Sequence, residues 1–313
     1  MLAACALAAA DYQAGTARVE ITSHVRPSAS RPLWARALAL EDGKGSGVLI
    51  ISADVAAYRR ELAELVAARV QKEYGLERAG VLLSACGSEV APAAGTAPLA
   101  DALLTAAGAA LGALKPASLF FSGTPAVSVL AVREEAPART PGGSLLAALF
   151  SAENSGPEDE RAAAFETAHP GALALVLGSC VAPASTGPGQ NNRESGFTRA
   201  LENATSRIAG PLRAVFRAVD TSRTFSDRDE QPIPQRTLYP VQVIRIGRGI
   251  MIVAFGGRLA SADLARVRSL PASARSLLIT GCANGPVPPP AAPVPESAFD
   301  ALGAILKRLD RPQ

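Results

Sequence analysis

The sequence offers few side chains that could hold a metal ion or activate a nucleophile. It contains two histidines, His24 and His169, and four cysteines without a Cys-x-x-Cys pair. Because zinc sites and disulfide frameworks are usually recognised from closely spaced ligands, this spacing predicts neither. No metal site is therefore expected from the ligand pattern.

Three of the cysteines, Cys86, Cys180 and Cys282, lie at or just after the ends of segments that predict strands. A thiolate at one of them, with His169 as the base, could attack an acyl carbon. Free cysteine more commonly fills a core as a small hydrophobic residue. We favour the core interpretation, because no neighbour in sequence orients the His169 ring.

Three acidic residues, Asp54, Glu89 and Glu153, are further catalytic candidates. Glu89 and Glu153 could form a carboxylate pair for acid–base work, although glutamate is usually exposed. Asp54 follows a buried apolar run, so it could cap the next helix or line a cleft. The sequence leaves both roles open and assigns no catalytic residue.

Apolar runs of strand length alternate with helical patterns along the chain, which is typical of an α/β domain. Residues 47–52 and 81–85 predict buried strands, and residues 61–74 predict an amphipathic helix between them. Such a unit predicts two parallel neighbouring strands. The expected fold is α/β, with a mixed or mainly parallel sheet flanked by helices.

The remaining elements extend this pattern, and no repeat or linker divides the chain. Further strands are predicted at 18–21, 33–40, 118–122, 172–177, 241–246, 250–255 and 276–280, and helices at 99–114, 196–209, 260–267 and 298–309. Residues 133–168 form a looser segment rich in glycine, proline and charge. We expect one domain over residues 14–313, with ligands gathering beyond the carboxyl ends of its strands.

Composition limits the partners. The formal net charge is +3 and the basic residues are dispersed, so nucleic acid is not expected. No apolar segment reaches the length of a transmembrane helix. Residues 1–13 are instead similar to a secretory signal or, with Cys5 as the acylated residue, to a lipoprotein segment, which predicts a secreted or envelope protein. The sequence does not indicate an oligomeric state.

Blocks spread along the chain form a recognisable set. They are AGTARVEIT at 14–22, PLWARALALEDG at 32–43, ISAD at 51–54, VLLSA at 81–85, VQVIRIG at 241–247 and ANG at 283–285. In type and order they resemble the N-terminal catalytic domain of the neutral/alkaline non-lysosomal ceramidases. The resemblance spans nearly all of residues 14–300 and implies that family's α/β fold, here without its C-terminal immunoglobulin-like domain.

The resemblance also implies a zinc-dependent amidohydrolase of ceramide, but the ligand positions differ. Where the family has Leu-Leu-Ser-Ala-Thr-His-Thr-His-Ser-Gly-Pro, residues 82–92 read LLSACGSEVAP, which places Gly87 at a ligand histidine. Arg258 stands where the family has a glutamate ligand, and Pro289 lies in the region of its tyrosine ligand. Glu153 is the best match to the second histidine, and residues 180–183 lack the family's Asp and Ser.

These replacements predict that zinc chemistry has been lost. Glycine and proline supply no ligand atom, and arginine is a permanent cation that repels a dication. We therefore expect no cofactor and a non-catalytic protein that binds a lipid-like small molecule in a cleft lined by Ser84, Gly87, Arg258 and Asn284. The alternative is an active amide or ester hydrolase with a rebuilt site.

Overall fold

The structure is a computed structural model. It describes residues 10–25, 29, 31–86, 96–124, 127–135, 143–152, 158–178, 194–220, 238–257, 259–270, 276–285 and 294–310. Several residues singled out from the sequence lie outside this part of the chain: Cys5, Gly87, Glu89, Glu153, Cys180, Arg258 and Pro289.

Two β-sheets form the centre of the molecule. The larger contains β1 (Tyr12–Glu20), β2 (Trp34–Asp42), β3 (Gly47–Ala53), β4 (Val81–Ala85), β5 (Lys115–Gly123), β6 (Val127–Glu134), β7 (Leu145–Ala152), β8 (Leu173–Leu177) and β9 (Ser206–Ile208). The smaller contains β10 (Leu212–Asp220), β11 (Leu238–Ile246), β12 (Ile250–Phe255) and β13 (Ser276–Thr280).

The larger sheet is mixed, with the order β4-β3-β2-β1-β5-β6-β7-β8 and β9 beside β5. Its β3–β4 and β7–β8 pairs are parallel, and its other described pairs are antiparallel. The smaller sheet runs β10-β11-β12-β13, and only the β12–β13 pair is parallel among its described pairs. The α/β fold class with a mixed sheet is confirmed.

Helices cover the outer face of each sheet. They are α1 (Thr22–Val25), α2 (Arg60–Tyr74), α3 (Thr96–Gly112), α4 (Glu158–Ala168), α5 (Glu194–Glu202), α6 (Ser261–Ser269) and α7 (Glu296–Leu309). Helices α2 and α3 pack on β1–β4, α4 and α5 on β6–β8, and α6 and α7 on the smaller sheet. A further apolar cluster joins the sheets, giving the layers helix, sheet, sheet, helix.

Burial on both faces explains the most regular sequence patterns. Strand β4 reads Val-Leu-Leu-Ser-Ala, and all of its residues are buried. A strand covered on both faces is expected to show such a continuous run rather than alternation. Helix α2 buries Leu62, Val66 and Val70 on one face. It ends at Gly75, which has a φ of 71° and so adopts the left-handed backbone conformation that is common just after the last turn of an α-helix.

Close packing also fixes the position of α3. A Cβ atom at Gly15 of β1 would lie 2.0 Å from the carbonyl oxygen of Ala110 in α3. No side chain fits at that distance, so glycine lets the alanine-rich helix lie directly on the strand. The segment 99–114 was predicted as a helix, and α3 confirms the element with shifted ends.

Several sequence expectations were wrong in detail. Residues 133–168 were expected to be loose, but they contain β7 and α4. The helix expected at 196–209 ends at Glu202, and β9 follows it. Strands β6 and β10 were not predicted. Within the described residues, no helix is long and apolar enough to cross a membrane.

Candidate functional site

The carboxyl ends of five strands from both sheets come together. The Cys86 amide after β4 donates to the Ala53 carbonyl of β3 at 3.0 Å. The Gly281 amide after β13 donates to the Gly178 carbonyl after β8 at 2.9 Å, and the Ala283 amide donates to the Phe255 carbonyl of β12 at 2.9 Å. This meeting point is where the sequence placed the ligand site, so its side chains decide what it can do.

The free edge of β4 is closed by neutral side chains. The Asn284 amide donates to the Leu83 carbonyl at 2.9 Å, and the Leu83 amide donates to Asn284 Oδ1 at 3.2 Å. Asn284 Nδ2 donates to Gln242 Oε1 at 2.7 Å, and Gln242 Nε2 donates to the Val81 carbonyl at 3.2 Å. We call Gln242, Asn284 and the β4 edge the neutral seam. It satisfies backbone groups that an open edge would leave exposed.

The turn that carries Asn284 has an unusual backbone. Cys282 has a φ of 48° and Asn284 a φ of 57°, both in the left-handed region. Asparagine tolerates that region better than most residues. Gly285 follows with a φ of 86°, and a Cβ atom there would lie 2.5 Å from Arg60 Cα. The Ala-Asn-Gly block therefore holds a tight turn against the start of α2.

Ser84 joins the sheets beneath this turn. Its Oγ lies 3.1 Å from Thr280 Oγ1 and accepts a hydrogen bond from the Gly178 amide at 3.2 Å. Thr280 Oγ1 lies 2.9 Å from the Gly178 carbonyl. Ser84 and Thr280 are both fully buried. Their hydroxyls thus tie β4, β8 and β13 together.

Charged side chains close the opposite edge of the larger sheet, at β8. Arg36 of β2 donates through Nη1 to Asp54 Oδ1 at 2.7 Å and through Nε to Glu166 Oε1 at 2.8 Å. The same Glu166 oxygen accepts from the Ala174 amide of β8 at 3.2 Å. The Ser52 hydroxyl donates to the Val176 carbonyl at 2.8 Å. We call Arg36, Asp54, Glu166 and Ser52 the charged seam.

The Arg36 and Asp54 side chains of the charged seam are buried, which strengthens the interaction between them. Arg36 is 1% exposed and Asp54 is fully buried. Burial raises the pKa of the Asp54 carboxyl, whereas the Arg36 guanidinium and the hydrogen bond from the Trp34 amide oppose that rise. The Arg36 pKa is raised, because the nearby acidic groups outweigh the opposing effect of burial. In the pair formed by Arg36 and Asp54, each charged side chain therefore stabilises the charged form of the other.

Cys86 lies against this seam. Its Sγ is 3.1 Å from Ser52 Oγ, 3.3 Å from the Ala53 carbonyl and 3.7 Å from Asp54 Oδ1. Cys86 is not disulfide-bonded, and it is 5% exposed. A carboxylate at this distance disfavours a second negative charge on sulfur, and the nearby carbonyl suits a neutral S–H. The surroundings fit a buried thiol better than an exposed thiolate.

His169 lies elsewhere, at the end of α4. Its ring packs on Phe165 with 4.5 Å between ring centroids, and it lines a cavity between α4 and α5. Among the described residues, its ring forms no hydrogen bond with Cys86 or Asp54. The structure thus brings Asp54 and Cys86 together but gives His169 different neighbours.

Cys282 corrects one sequence expectation. It is disulfide-bonded, and its partner cysteine lies outside the described residues. Spacing along the chain did not predict a disulfide, because a bridge depends on distance in space rather than in sequence. The bonded Cys282 is also not available as a thiolate nucleophile.

Zinc is the cofactor that the resemblance implies, but the residues that the resemblance matches to three of its ligand positions are of types that do not bind a metal ion. Gly87 and Pro289 carry no donor atom at the corresponding positions, and Arg258 carries a positive charge. Within the described ranges, no group of three or more His, Cys, Asp or Glu side chains is placed to hold a metal ion. The assignment of Ser84, Gly87, Arg258 and Asn284 to a substrate cleft stays a prediction.

The sequence did not predict the hydrogen-bond partners of Asp54, Ser84 and Asn284. Arg36 and Gln242 each interrupt an otherwise apolar strand, and that interruption was a usable signal of a buried polar role. Glu166 and Thr280 gave no such signal. Glu166 is separated from Arg36 by 130 residues, and only the folded sheet brings the two together.

Comparison with known proteins finds the fold. A scan of protein-family models and a search of curated proteins both give no match. Among solved structures, neutral ceramidase from Pseudomonas aeruginosa superposes with a TM-score of 0.73 at 15% identity, covering 94% of this chain and 70% of that one. A ceramidase complexed with C2 gives 0.68 at 13%, covering 88% of this chain and 69% of that one. At these identities the likeness shows the fold alone.

Proposed function

We propose that this chain, which has the fold of neutral ceramidases, has lost zinc-dependent amide hydrolysis and binds a lipid-like amphiphile without cleaving it. The fold likeness supports the ancestry, and the residues at the family's ligand positions support the loss. A catalytic zinc needs three protein ligands and an open position for water. Gly87, Arg258 and Pro289 supply none of these ligands.

The proposal rests on one observation: the described polar side chains at the strand ends form their hydrogen bonds with other parts of the protein. Ser84 and Thr280 bind each other and Gly178, while Asn284 binds Leu83 and Gln242. These groups fix the positions at which the strands end and the following loops begin. Their hydrogen bonds commit these described groups to holding the structure rather than to acting as a base or a nucleophile, which supports a role without catalysis.

We also propose that the protein works in an oxidising compartment. The disulfide at Cys282 supports an exported protein, because disulfides persist mainly outside the cytoplasm. We propose that residues 14–313 act as one exported domain. In this proposal, residues 1–13 are a signal or, through Cys5, a lipoprotein segment.

A short-chain fluorescent ceramide tests both halves of the proposal. We expect saturable binding by the purified protein and recovery of the intact amide by chromatography. Gly87→Trp, at a position that the resemblance assigns to the cleft, should weaken binding at least about tenfold, while Gly43→Trp, in an open turn, should bind like the wild type. Release of the fatty acid, or equal binding by both variants, would contradict the proposal.

The alternative function is an amide or ester hydrolase with a rebuilt site. Its support is the 3.7 Å distance between Cys86 Sγ and Asp54 Oδ1. In such an enzyme Asp54 would accept the thiol proton, the Cys86 thiolate would attack the acyl carbon, and the amine or alcohol would leave with that proton. Water would then hydrolyse the thioester and restore the thiol. Cys86→Ala would then abolish hydrolysis of amide and ester substrates. Unchanged hydrolysis in Cys86→Ala, or none in the wild type, excludes this mechanism.

A further inference from the structure

An apolar cavity lies on the outer face of the larger sheet, on the side that α4 and α5 cover. It lies between α4 and α5 over β7 and β8, is partly open to solvent, and has a volume of about 120 Å³. Its described wall includes Phe150, Phe165, Phe197 and Val176, with Arg161 and His169 among the polar residues. The wall contains three of the nine phenylalanines in a chain that is only 4% aromatic. This concentration of rings has no counterpart in the seams.

The phenylalanine rings are held by one another. Phe150 meets Phe165 with ring centroids 5.1 Å apart and planes at 73°, and it meets Phe197 at 4.7 Å and 87°. Both are edge-to-face contacts, the arrangement that aromatic rings prefer. The guanidinium carbon of Arg161 lies 5.5 Å from the Phe197 ring centroid and His169 packs on Phe165, so these two polar residues of the wall also hold the rings.

We infer that this cavity binds a small apolar molecule with a single aromatic ring. Apolar cavities of about 150 Å³ lined by Leu, Ile and Phe stay dry and take up benzene. The cavity here is of similar size, and three phenylalanines line it. The alanines Ala162, Ala164 and Ala168 leave the space that larger side chains would fill. This site is independent of the proposed ceramide cleft.

Toluene is the probe, and saturation-transfer NMR on the whole chain is the measurement. We expect saturable binding with a dissociation constant on the order of 1 mM, as suits a ligand of this size. Nuclear Overhauser effects should connect the toluene ring to Phe150, Phe165 and Phe197. Absence of saturable binding to folded wild-type protein would overturn the inference.

Neighbouring alanines on α4 supply matched variants. Ala163 and Ala164 are both exposed, but only Ala164 lines the cavity. Ala164→Phe should weaken toluene binding at least about tenfold, and Ala163→Phe should leave it unchanged. Ala168→Phe repeats the test from another position, should Ala164→Phe fail to fold. Equal loss in Ala163→Phe, or wild-type binding in a folded cavity variant, would place the toluene elsewhere and overturn the inference.

Discussion

The two edges of the larger sheet are closed by different chemistry. At β8 the charged seam uses the Arg36 guanidinium between two carboxylates, whereas at β4 the neutral seam uses the amides of Asn284 and Gln242. Both satisfy the backbone groups of an edge strand. The same structural task therefore depends on charge pairing at one edge and on turn geometry at the other.

The two seams should respond differently to substitution. Removing one member of a buried ion pair leaves an uncompensated charge, which costs more than the pair itself contributes. Removing a neutral amide leaves an unsatisfied donor or acceptor, which costs less. The charged seam should therefore be the more sensitive to substitution and the only one of the two that responds to pH.

Arg36→Met should have the largest effect. It leaves Asp54 and Glu166 without their shared cation, and loss of one buried partner costs about 3–5 kcal/mol. Urea unfolding at neutral pH measures the change. Arg69→Met is the matched control, because Arg69 of α2 pairs with Asp101 of α3 on the exposed surface and should matter far less. Similar losses in the two variants would contradict the charged seam.

Asn284→Ala should follow in size. It leaves the Leu83 amide and Gln242 Oε1 without partners and places alanine at a φ of 57°, for a combined cost of about 2–4 kcal/mol. Asn284→Gly should recover part of that loss by removing the backbone strain. Thermal unfolding compares both with Asn203→Ala, an exposed control. Equal stability of the alanine and glycine variants would exclude the turn geometry as a cause.

Acid should distinguish the two seams. Burial raises the pKa of Asp54, and loss of Arg36 raises it further because the guanidinium opposes the rise. A raised folded-state pKa favours the folded protein at low pH, and this benefit is lost as the pH rises through that pKa. Arg36→Met should thus regain stability as the pH falls through the raised pKa of Asp54 toward the ordinary range of a carboxyl group, by roughly 1.4 kcal/mol per unit of added pKa shift. Asn284→Ala should show no such recovery relative to wild type.

Cys86→Ala should have the smallest effect. The side chain is small and neutral, so its loss should cost about 1 kcal/mol and leave both seams in place. The thiol should also react slowly with iodoacetamide in the folded protein, because Cys86 is 5% exposed. Rapid alkylation at neutral pH, measured by mass spectrometry, would contradict a buried thiol and favour the hydrolase alternative.

The sequence could predict elements whose pattern is set by burial. Strands β3 and β4 were recognisable because continuous apolar runs mark strands covered on both faces. Strand β10 was not, since only Leu212 and Val215 are buried along its length. The Leu-Leu-Ala-Ala-Leu-Phe run of β7 is compatible with helix or strand, and its partners are fixed by pairing with β6 and β8.

The site was less predictable than the fold. Cys86, Asp54 and Asn284 could be placed at strand ends from their positions in sequence. Their partners could not, because Arg36 meets Glu166 across 130 residues and Leu83 meets Asn284 across 201. Periodicity reports local structure, whereas these contacts arise only when the larger sheet and the smaller sheet are assembled.

Zinc loading of the purified protein tests the central claim most directly. The protein is incubated with excess zinc, desalted, and measured by native mass spectrometry alongside hydrolysis of fluorescent ceramide. The donor set at Gly87, Arg258 and Pro289 predicts no stoichiometric zinc and no zinc-stimulated hydrolysis. One zinc ion per chain, with hydrolysis that a chelator abolishes, would contradict the claim that this ceramidase-like fold has lost its metal chemistry.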